Sequence, residues 1–430
     1  MTKVELLKKK KKDSKANELL FPAVMWFGSR LFIWIVMLGI APLLQAPPGG
    51  IAATFGLEVF NAWDSVQYQT IVTDGYEFIN DGEMHNVAFF PLFPLVIKLL
   101  MNLGFSFEIA GLLVNNLAFL GAIYCVYFWV KSFRNENEAR WATAVLAWCP
   151  ASMFAGVIYT EGLYLFLSAA AMQAFDKSRY GLTAVFGALA TATRPTGLAL
   201  IPALIIACWK QRKPAIAYIS SLATATGVLL FSVYCAVTFS EPLAFIEAQK
   251  GWRESLGFDW QSWWKMLMQI SIGTQNWKHG GIKDPVIPLL FALIVILGYL
   301  LWRFRKNISR KFGEATVEYG FAALILIWWL VAGDPLINTV SVIGSAYLIW
   351  KLRHELSPVA ATYGLCGLAL VLASGGTWSL SRIVYGIVSV SIAFGIFLSR
   401  HPRWGYLTMG FFAILLTTFS IRFAQELWVG

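Results

Sequence analysis

Long apolar runs alternate with short charged stretches along almost the whole chain. The first run covers residues 19–44, the next complete one begins at Phe107, and similar runs recur up to the C-terminal end. A helix needs about 20 predominantly apolar residues to cross a bilayer, and most of these runs approach that length. The pattern predicts an all-α polytopic membrane protein, a bundle of about 11–13 transmembrane helices.

Two polar stretches interrupt this pattern and are predicted to be large loops, 46–106 and 240–284. The first contains the short apolar run Val87–Leu103, whose two prolines disrupt helical hydrogen bonding, so we expect it to be interfacial or re-entrant. The second is rich in tryptophan, which favours an interfacial amphipathic helix. The chain thus divides into a basic tail, 1–18, and a single integral-membrane domain, 19–430.

Composition and charge indicate the class of protein and its orientation in the membrane. Hydrophobic residues make up 58% and charged residues 13% of the 430-residue chain, which excludes a soluble globular protein. The net charge of +10 is spread over short loops, so membrane topology explains it better than nucleic-acid binding. The same positive-inside bias places the lysine run Lys8–Lys12, which we expect to be disordered, in the cytoplasm and both large loops outside. A bacterial inner membrane, with the active site facing the periplasm, is the predicted location.

The strongest candidate for chemistry is Asp64, in the loop segment NAWDSVQYQTIVTDGY (61–76). A carboxylate at the membrane surface can remove a proton from a hydroxyl that attacks an activated carbon. The alternative is a solvated loop acid or a helix N-cap. Asp74 precedes a glycine, which is typical of a turn.

Three further charged residues border apolar runs on the predicted outer side: Glu161, Arg194 and Arg382. Arg194 lies at a Pro/Gly break between two half-length apolar segments, 181–193 and 197–209. An unpaired arginine deep in a bilayer costs at least about 2.5–3.5 kcal/mol, so a partner is expected, either a phosphate or an acid such as Glu161. Glu161 could equally be a hydrated loop charge, and Arg382 an interfacial anchor.

Metal and nucleotide chemistry have little support in the sequence. Asp81, Glu83 and His85 alternate in one loop, a weak pattern for a divalent cation. Neither a glycine-rich phosphate loop nor a nucleophile elbow occurs. We therefore expect no cofactor and no metal, and a donor that is not a soluble nucleotide.

Several motifs, in order along the chain, resemble the PIG-V family of GPI mannosyltransferase II and its prokaryotic relatives. They are WDSVQY (63–68), DGY (74–76), FFPLFPLV (89–96), CPASMFAGVIYTEGLY (149–164), TATRPTG (191–197) and EPLAFIEAQKGW (241–252). Towards the C-terminus only SLSRIVYG (379–386) is similar. The chain departs from many members at Ala62 and Gln67, where an arginine and a histidine are common, which leaves the sugar and the acceptor open.

The resemblance implies a GT-C glycosyltransferase fold that uses a mannosyl group on a polyprenyl phosphate. Asp64 would then be the general base of an inverting transfer to a glycolipid or glycan acceptor. The residues expected to bind the substrates are Trp63, Gln67, Tyr68, Tyr76, Tyr159, Glu161, Arg194, Gln249, Trp252 and Arg382. Other possibilities are a transporter or flippase of lipid-linked sugars, a non-catalytic membrane subunit, and a related transferase for arabinose or glucose.

Overall fold

A computed structural model describes residues 3–253 and 257–429, without the side chains of residues 3–17. The described residues form helices and one isolated β-bridge, between Gly257 and Ser374. The helices of the first half are α1 (Lys3–Trp34), α2 (Asp64–Thr73), α3 (Leu92–Met101), α4 (Phe107–Phe133), α5 (Glu136–Trp148), α6 (Glu161–Asp176), α7 (Tyr180–Thr191), α8 (Leu200–Gln211), α9 (Ala215–Ala223) and α10 (Thr226–Phe239).

The second half contains shorter loop helices followed by longer apolar ones. Its helices are α11 (Ala244–Glu247), α12 (Gln249–Trp252), α13 (Trp260–Ile272), α14 (Thr274–Lys278), α15 (Val286–Phe312), α16 (Glu314–Ala332), α17 (Asp334–Thr339), α18 (Ser345–Leu352), α19 (Pro358–Ala373), α20 (Leu380–Tyr385), α21 (Val388–Arg400) and α22 (Pro402–Ala424). α1 begins at Lys3 and so includes the lysine run Lys8–Lys12, and the expected disorder of that run stays a prediction.

Within the described residues, six helical segments are long and apolar enough to cross a membrane. They are Glu18–Leu43, Phe107–Phe133, Ala215–Phe239, Val286–Phe312, Glu314–Ala332 and Pro402–Ala424. Four more apolar helices have 10–17 residues. The chain is therefore an all-α, multi-pass integral membrane protein, as predicted, while a total of 11–13 spans stays a prediction.

Side-chain caps explain where several helices begin. Ser106, Asn135, Asp259 and Ser357 each accept a hydrogen bond from a backbone N–H three residues further on, at the starts of α4, α5, α13 and α19. Such caps satisfy one of the N–H groups that the first helical turn leaves without a partner. The polar residues at the ends of the apolar runs thus set the helix boundaries.

The break predicted at Arg194 is present. α7 ends at Thr191, a short 3-10 helix covers Pro195–Ala199, and α8 begins at Leu200. A Cβ atom on Gly197 would lie 2.8 Å from the carbonyl oxygen of Ala190, so glycine is required for the chain to fold back this closely. The break leaves Arg194 at the end of one half-length helix.

The core that supports this region is formed by α4, α5, α6 and α21, where α4 packs on α6 and α5 packs on α21. The predicted loop 46–106 contributes α2 and the ten-residue α3, which at about 15 Å is too short to cross a bilayer. The predicted loop 240–284 contributes α11 to α14. Phe90, Phe231 and Phe245 pack together, so that the two loops lie against each other.

Candidate active site

Asp64 is the first residue of α2, and its backbone is held in an unusual conformation. The preceding residue, Trp63, has φ 59° and ψ −118°, a region that bulky residues rarely adopt and that costs about 1–3 kcal/mol. The N–H of Asp64 donates to the Tyr159 hydroxyl at 3.2 Å, and the Ser65 hydroxyl donates to the Ala62 carbonyl at 2.6 Å. Asp64 therefore projects its carboxylate from a strained turn and does not serve as an N-cap.

Arg382 is the partner of Asp64, although 318 residues separate them. Its Nη1 donates to Asp64 Oδ2 at 2.7 Å, and its guanidinium carbon lies 5.3 Å from the ring centroids of both Phe154 and Tyr159. Burial by itself would lower the pKa of Arg382, but the negative charges of Asp64 and Glu161 outweigh it and raise that pKa. Arg382 is thus a fixed cation beside the candidate base, and the alternative of an interfacial anchor is wrong.

Glu161 and Arg194 form a second ion pair next to the first. Glu161 Oε1 accepts from Arg194 Nη1 and lies 3.7 Å from Arg382 Nε. The side chain of Glu161 is only 1% exposed, so the alternative of a hydrated loop charge is wrong. The start of α6 is held in place by Asn115, whose Oδ1 accepts from the N–H of Gly162 at 2.7 Å.

Arg253 is a functional candidate that the sequence interpretation missed. Its Nη1 donates to Ser374 Oγ at 3.0 Å and to the carbonyl of Gly375. Within residues 3–253 and 257–429, these neutral groups are its hydrogen-bonding partners. Burial, followed by the charge of Arg382, lowers the pKa of Arg253. A signal existed, because Arg253 directly follows Trp252 in the motif from the second large loop.

These charged residues surround a cavity of about 360 Å³. Asp64, Arg194, Arg253 and Arg382 line it, and Glu161 lies directly behind Arg194. Its other walls are mainly apolar and aromatic, including Phe89, Phe90, Leu198, Phe245, Leu370 and Trp378. Three arginines thus face two carboxylates, which leaves one positive charge that no described acidic side chain pairs with.

The remaining predicted substrate-binding residues lie at different distances from this cavity. Tyr68, Gln249 and Trp252 line it, and burial together with the charge of Asp64 raises the pKa of Tyr68. Trp63 packs at its rim, against Trp428. Gln67 and Tyr76 are not among the lining residues.

Tyr76 and Tyr159 support the walls of the cavity from behind. The Tyr76 hydroxyl donates to the Phe89 carbonyl at 2.9 Å, and Phe89 itself faces the cavity. Tyr159 packs under Arg382 and bonds to the backbone of Asp64. Both tyrosines therefore shape the site without facing it.

Asp81 and His85, considered above as metal ligands, bond to each other instead. His85 Nε2 lies 2.8 Å from Asp81 Oδ1, which also accepts from the N–H of Glu83. In the part of the chain that the structure describes, no group of three His, Cys, Asp or Glu side chains is arranged to hold a metal ion. That the reaction needs neither metal nor cofactor stays a prediction.

Comparison with known proteins gives both sequence and structural relatives. The model of the mannosyltransferase (PIG-V) family matches residues 28–251. GPI alpha-1,6-mannosyltransferase 2 of Cricetulus griseus is 25% identical over 260 residues, 51% of this chain and 51% of that protein. The protein of the same name from Homo sapiens is 23% identical over 285 residues, 56% of this chain and 57% of that protein. The chain thus spans about half the length of the curated relatives it matches.

Similar solved structures include an oligosaccharyltransferase and ArnT. An apo oligosaccharyltransferase of Archaeoglobus fulgidus has a TM-score of 0.47 and 11% identity, covering 95% of this chain and 56% of that one. ArnT of Cupriavidus metallidurans, bound to undecaprenyl phosphate, has a TM-score of 0.40 and 14% identity, covering 93% of this chain and 77% of that one. The family match itself covers more than half of the chain and includes Asp64, Glu161 and Arg194. The protein therefore belongs to the mannosyltransferase (PIG-V) family.

Proposed function

We propose that this protein is a membrane mannosyltransferase that uses a polyprenyl-phosphate mannose donor and a glycolipid or glycan acceptor on the outer face of the membrane. The observation that carries the proposal is the cavity in which Asp64 and three arginines converge between apolar walls. Membership of the PIG-V family and the names of the relatives, GPI alpha-1,6-mannosyltransferase 2, support mannose as the sugar.

The charges of the cavity suit a lipid phosphate. Arg194 is paired with Glu161 and Arg382 with Asp64, whereas Arg253 bonds to neutral groups among the described residues. Hydrogen bonds from arginine to phosphate are charge-assisted and are strengthened where water is excluded. Arg253 is therefore assigned to the donor phosphate, while Arg194 and Arg382, first expected in that role, add positive potential and hold the carboxylates.

The reaction follows from this arrangement. Arg382 engages Oδ2 of Asp64, so the other carboxylate oxygen accepts the proton of an acceptor hydroxyl. The hydroxyl oxygen attacks the anomeric carbon in line, and the bond from that carbon to the phosphate oxygen breaks with both electrons leaving on the phosphate. The arginines stabilise the charge that develops there. One in-line displacement inverts the anomeric configuration.

The apolar walls fit the remainder of the donor. Leu198, Phe245, Ile246 and Leu370 line the cavity together with the charged groups. Apolar surface of this kind favours contact with the first isoprene units of the lipid by about 25 cal/mol per Å² removed from water. The distribution of basic residues supports an outward-facing cavity and a cytoplasmic N-terminus, with a bacterial inner membrane as the location.

The test compares Asp64→Asn with Asp74→Asn, a matched carboxylate that ends the same helix. Purified protein in detergent is given polyprenyl-phosphate mannose and a glycolipid extract, and mannosylated lipid and free polyprenyl phosphate are measured. Asp64→Asn is expected to reduce transfer by about 10²–10⁴-fold, and Asp74→Asn to leave it near wild type. Near-wild-type transfer by Asp64→Asn would refute the base assignment. Transport of the intact donor in vesicles, without mannose transfer, would favour the flippase instead.

A further inference from the structure

Three tryptophans from distant parts of the chain meet at the rim of the cavity. The rings of Trp63 and Trp428 have centroids 5.2 Å apart at 88°, and those of Trp378 and Trp428 are 5.5 Å apart at 75°. The three remain 40%, 37% and 66% exposed, in the order Trp63, Trp428 and Trp378. Edge-to-face packing therefore joins the rings to one another while each keeps accessible surface.

The position of Trp428 is fixed by polar contacts of the C-terminal segment. The carbonyl of Gln425 accepts from the N–H of Ile51 at 2.9 Å, and the Gln425 side chain donates to the Gln45 carbonyl at 3.1 Å. Arg422 donates to the Trp428 carbonyl and is itself paired with Asp334 at 3.0 Å. The chain thus turns back after α22, and this turn brings Trp428 to the cavity.

The surroundings of the three rings distinguish them from ordinary interfacial tryptophans. Trp378 and Trp428 line the same cavity as Asp64, and Trp63 precedes Asp64 in the chain. By contrast, Trp260 on α13 is 61% exposed and does not line the cavity. Exposed aromatic surface that continues a candidate active site is a feature of ligand sites.

We propose that Trp63, Trp378 and Trp428 form a stacking subsite for a pyranose ring of the acceptor. One face of a pyranose presents several weakly positive C–H groups, which match the negative face of an indole ring, while the hydroxyls at its edge stay free for polar contacts. Stacking there places an acceptor hydroxyl beside Asp64. The inference deepens the proposed function and rests on it, because it names the ligand class of the acceptor side of the same cavity.

The experiment measures binding directly, by saturation-transfer difference NMR on the purified protein in detergent. The probes are methyl α-D-glucopyranoside and methyl α-D-mannopyranoside. At least one glycoside is expected to show saturation at the C–H groups of one ring face. Trp378→Ala is expected to weaken its apparent affinity by about tenfold, the upper range for an aromatic contact. Trp428→Leu is expected to do the same, whereas Trp428→Phe, which keeps an aromatic face, retains most of the affinity.

Trp260→Ala is the matched control for Trp378→Ala, because Trp260 is about as exposed as Trp378 but lies outside the cavity, and it should leave the signal unchanged. Thermal unfolding of each variant identifies any that fails to fold, and Trp378→Ala, at the most exposed of the three rings, serves if Trp428→Leu does not fold. No saturation transfer to either glycoside in the wild type would overturn the proposal. Equal signals in wild type, Trp378→Ala and Trp428→Leu would overturn it as well.

Asp64→Asn separates this proposal from the proposed function. The variant leaves the three rings in place, so glycoside binding should persist while transfer is lost. If Asp64→Asn keeps both binding and transfer, the catalytic assignment fails while the stacking subsite stands. If transfer depends on Asp64 but no variant of the three tryptophans alters binding, the subsite fails alone.

Discussion

The molecule contains two clusters of arginine and carboxylate side chains that differ in how fully they are paired. The cavity cluster consists of Asp64, Glu161, Arg194, Arg253 and Arg382. The Arg134 cluster consists of Arg134, Glu138, Glu355 and Arg400. Arg134 follows the end of α4, and Asn115, nearer the start of that helix, contacts the segment of Glu161. At 1.5 Å per helical residue the two clusters are roughly 30 Å apart.

The Arg134 cluster is balanced and closed. Arg134 donates to both oxygens of Glu138, at 2.7 and 3.0 Å, and to Glu355 at 3.1 Å. Arg400 donates to Glu355 and reaches Glu138 at 3.4 Å. Two arginines thus match two glutamates, and together they connect α5, the start of α19 and the end of α21.

The cavity cluster is neither balanced nor closed. It has an excess of one arginine, and both Glu161 Oε2 and Arg382 Nε lie buried without a hydrogen bond among the described residues. Buried polar atoms are normally satisfied, so unsatisfied ones concentrated beside a cavity indicate a site that a ligand completes. The same residue types thus connect helices at one place and leave buried hydrogen-bonding atoms without a described partner at the other.

Among the variants that compare the two clusters of arginine and carboxylate side chains, the largest effect is expected from Arg382→Gln. It removes the cation that holds Asp64 in place and stabilises charge in the cavity, so transfer should fall by about 10²–10³-fold. The matched variant Arg400→Gln should lower the unfolding temperature and leave the transfer rate near wild type. Steady-state transfer rates and thermal unfolding are measured for both variants. An equal loss of transfer in Arg400→Gln and Arg382→Gln would contradict the difference between the two clusters.

Arg253→Gln is expected to raise the KM for the polyprenyl-phosphate donor by about 10–100-fold, the range for a charged hydrogen bond. Because it removes a positive charge beside Arg382 that no described acidic side chain pairs with, its unfolding temperature should be equal to or above that of wild type. Donor titrations and thermal unfolding measure both. Lys265→Gln, at an exposed cation of the same loop, is the control, and an unchanged donor KM in Arg253→Gln would contradict the phosphate assignment.

Glu138→Gln tests whether the Arg134 cluster stabilises the fold without affecting transfer. Its side chain is 5% exposed and bonds to Arg134 twice, so its loss should reduce the free energy of unfolding by about 1.5–3 kcal/mol. Transfer at a temperature where the variant is folded should remain unchanged. A fall in transfer with an unaltered unfolding temperature would assign the Arg134 cluster a role in catalysis.

The smallest effect is expected for the loss of stability at low pH that involves Glu355. Hydrogen bonding from Arg400, opposed in part by burial and aided by the charges of Arg400 and Arg134, lowers the pKa of Glu355. A carboxylate whose pKa is lowered in the folded state stabilises the protein at pH values above the usual glutamate pKa of about 4.3. This stabilisation is lost as the pH falls through the lower pKa of the folded state. Glu355→Gln should therefore lose less stability than wild type between pH 7 and about pH 3, as thermal unfolding measures. Glu314→Gln, at an exposed glutamate, should resemble wild type.

The sequence predicted the parts of the site that local patterns encode. The motif around Asp64, the break at Arg194 and the acid in CPASMFAGVIYTEGLY were all visible in the sequence, and the structure brings the three charged residues together. The pairing of Asp64 with Arg382 was not predictable, because it depends on how helices 318 residues apart pack. Arg253 and Trp428 were missed for the same reason: they are candidates because they line the cavity, which periodicity cannot reveal.

The left-handed backbone of Trp63 has a consequence for directed evolution. Glycine, which has no Cβ atom, adopts φ 59° and ψ −118° without the steric cost that tryptophan has there. A selection for thermal stability alone would therefore favour glycine at position 63 and remove an indole from the rim of the cavity. Under the proposed stacking role of Trp63, this gain in stability would weaken acceptor binding, so stabilised variants of this protein should be screened for transfer as well as for folding.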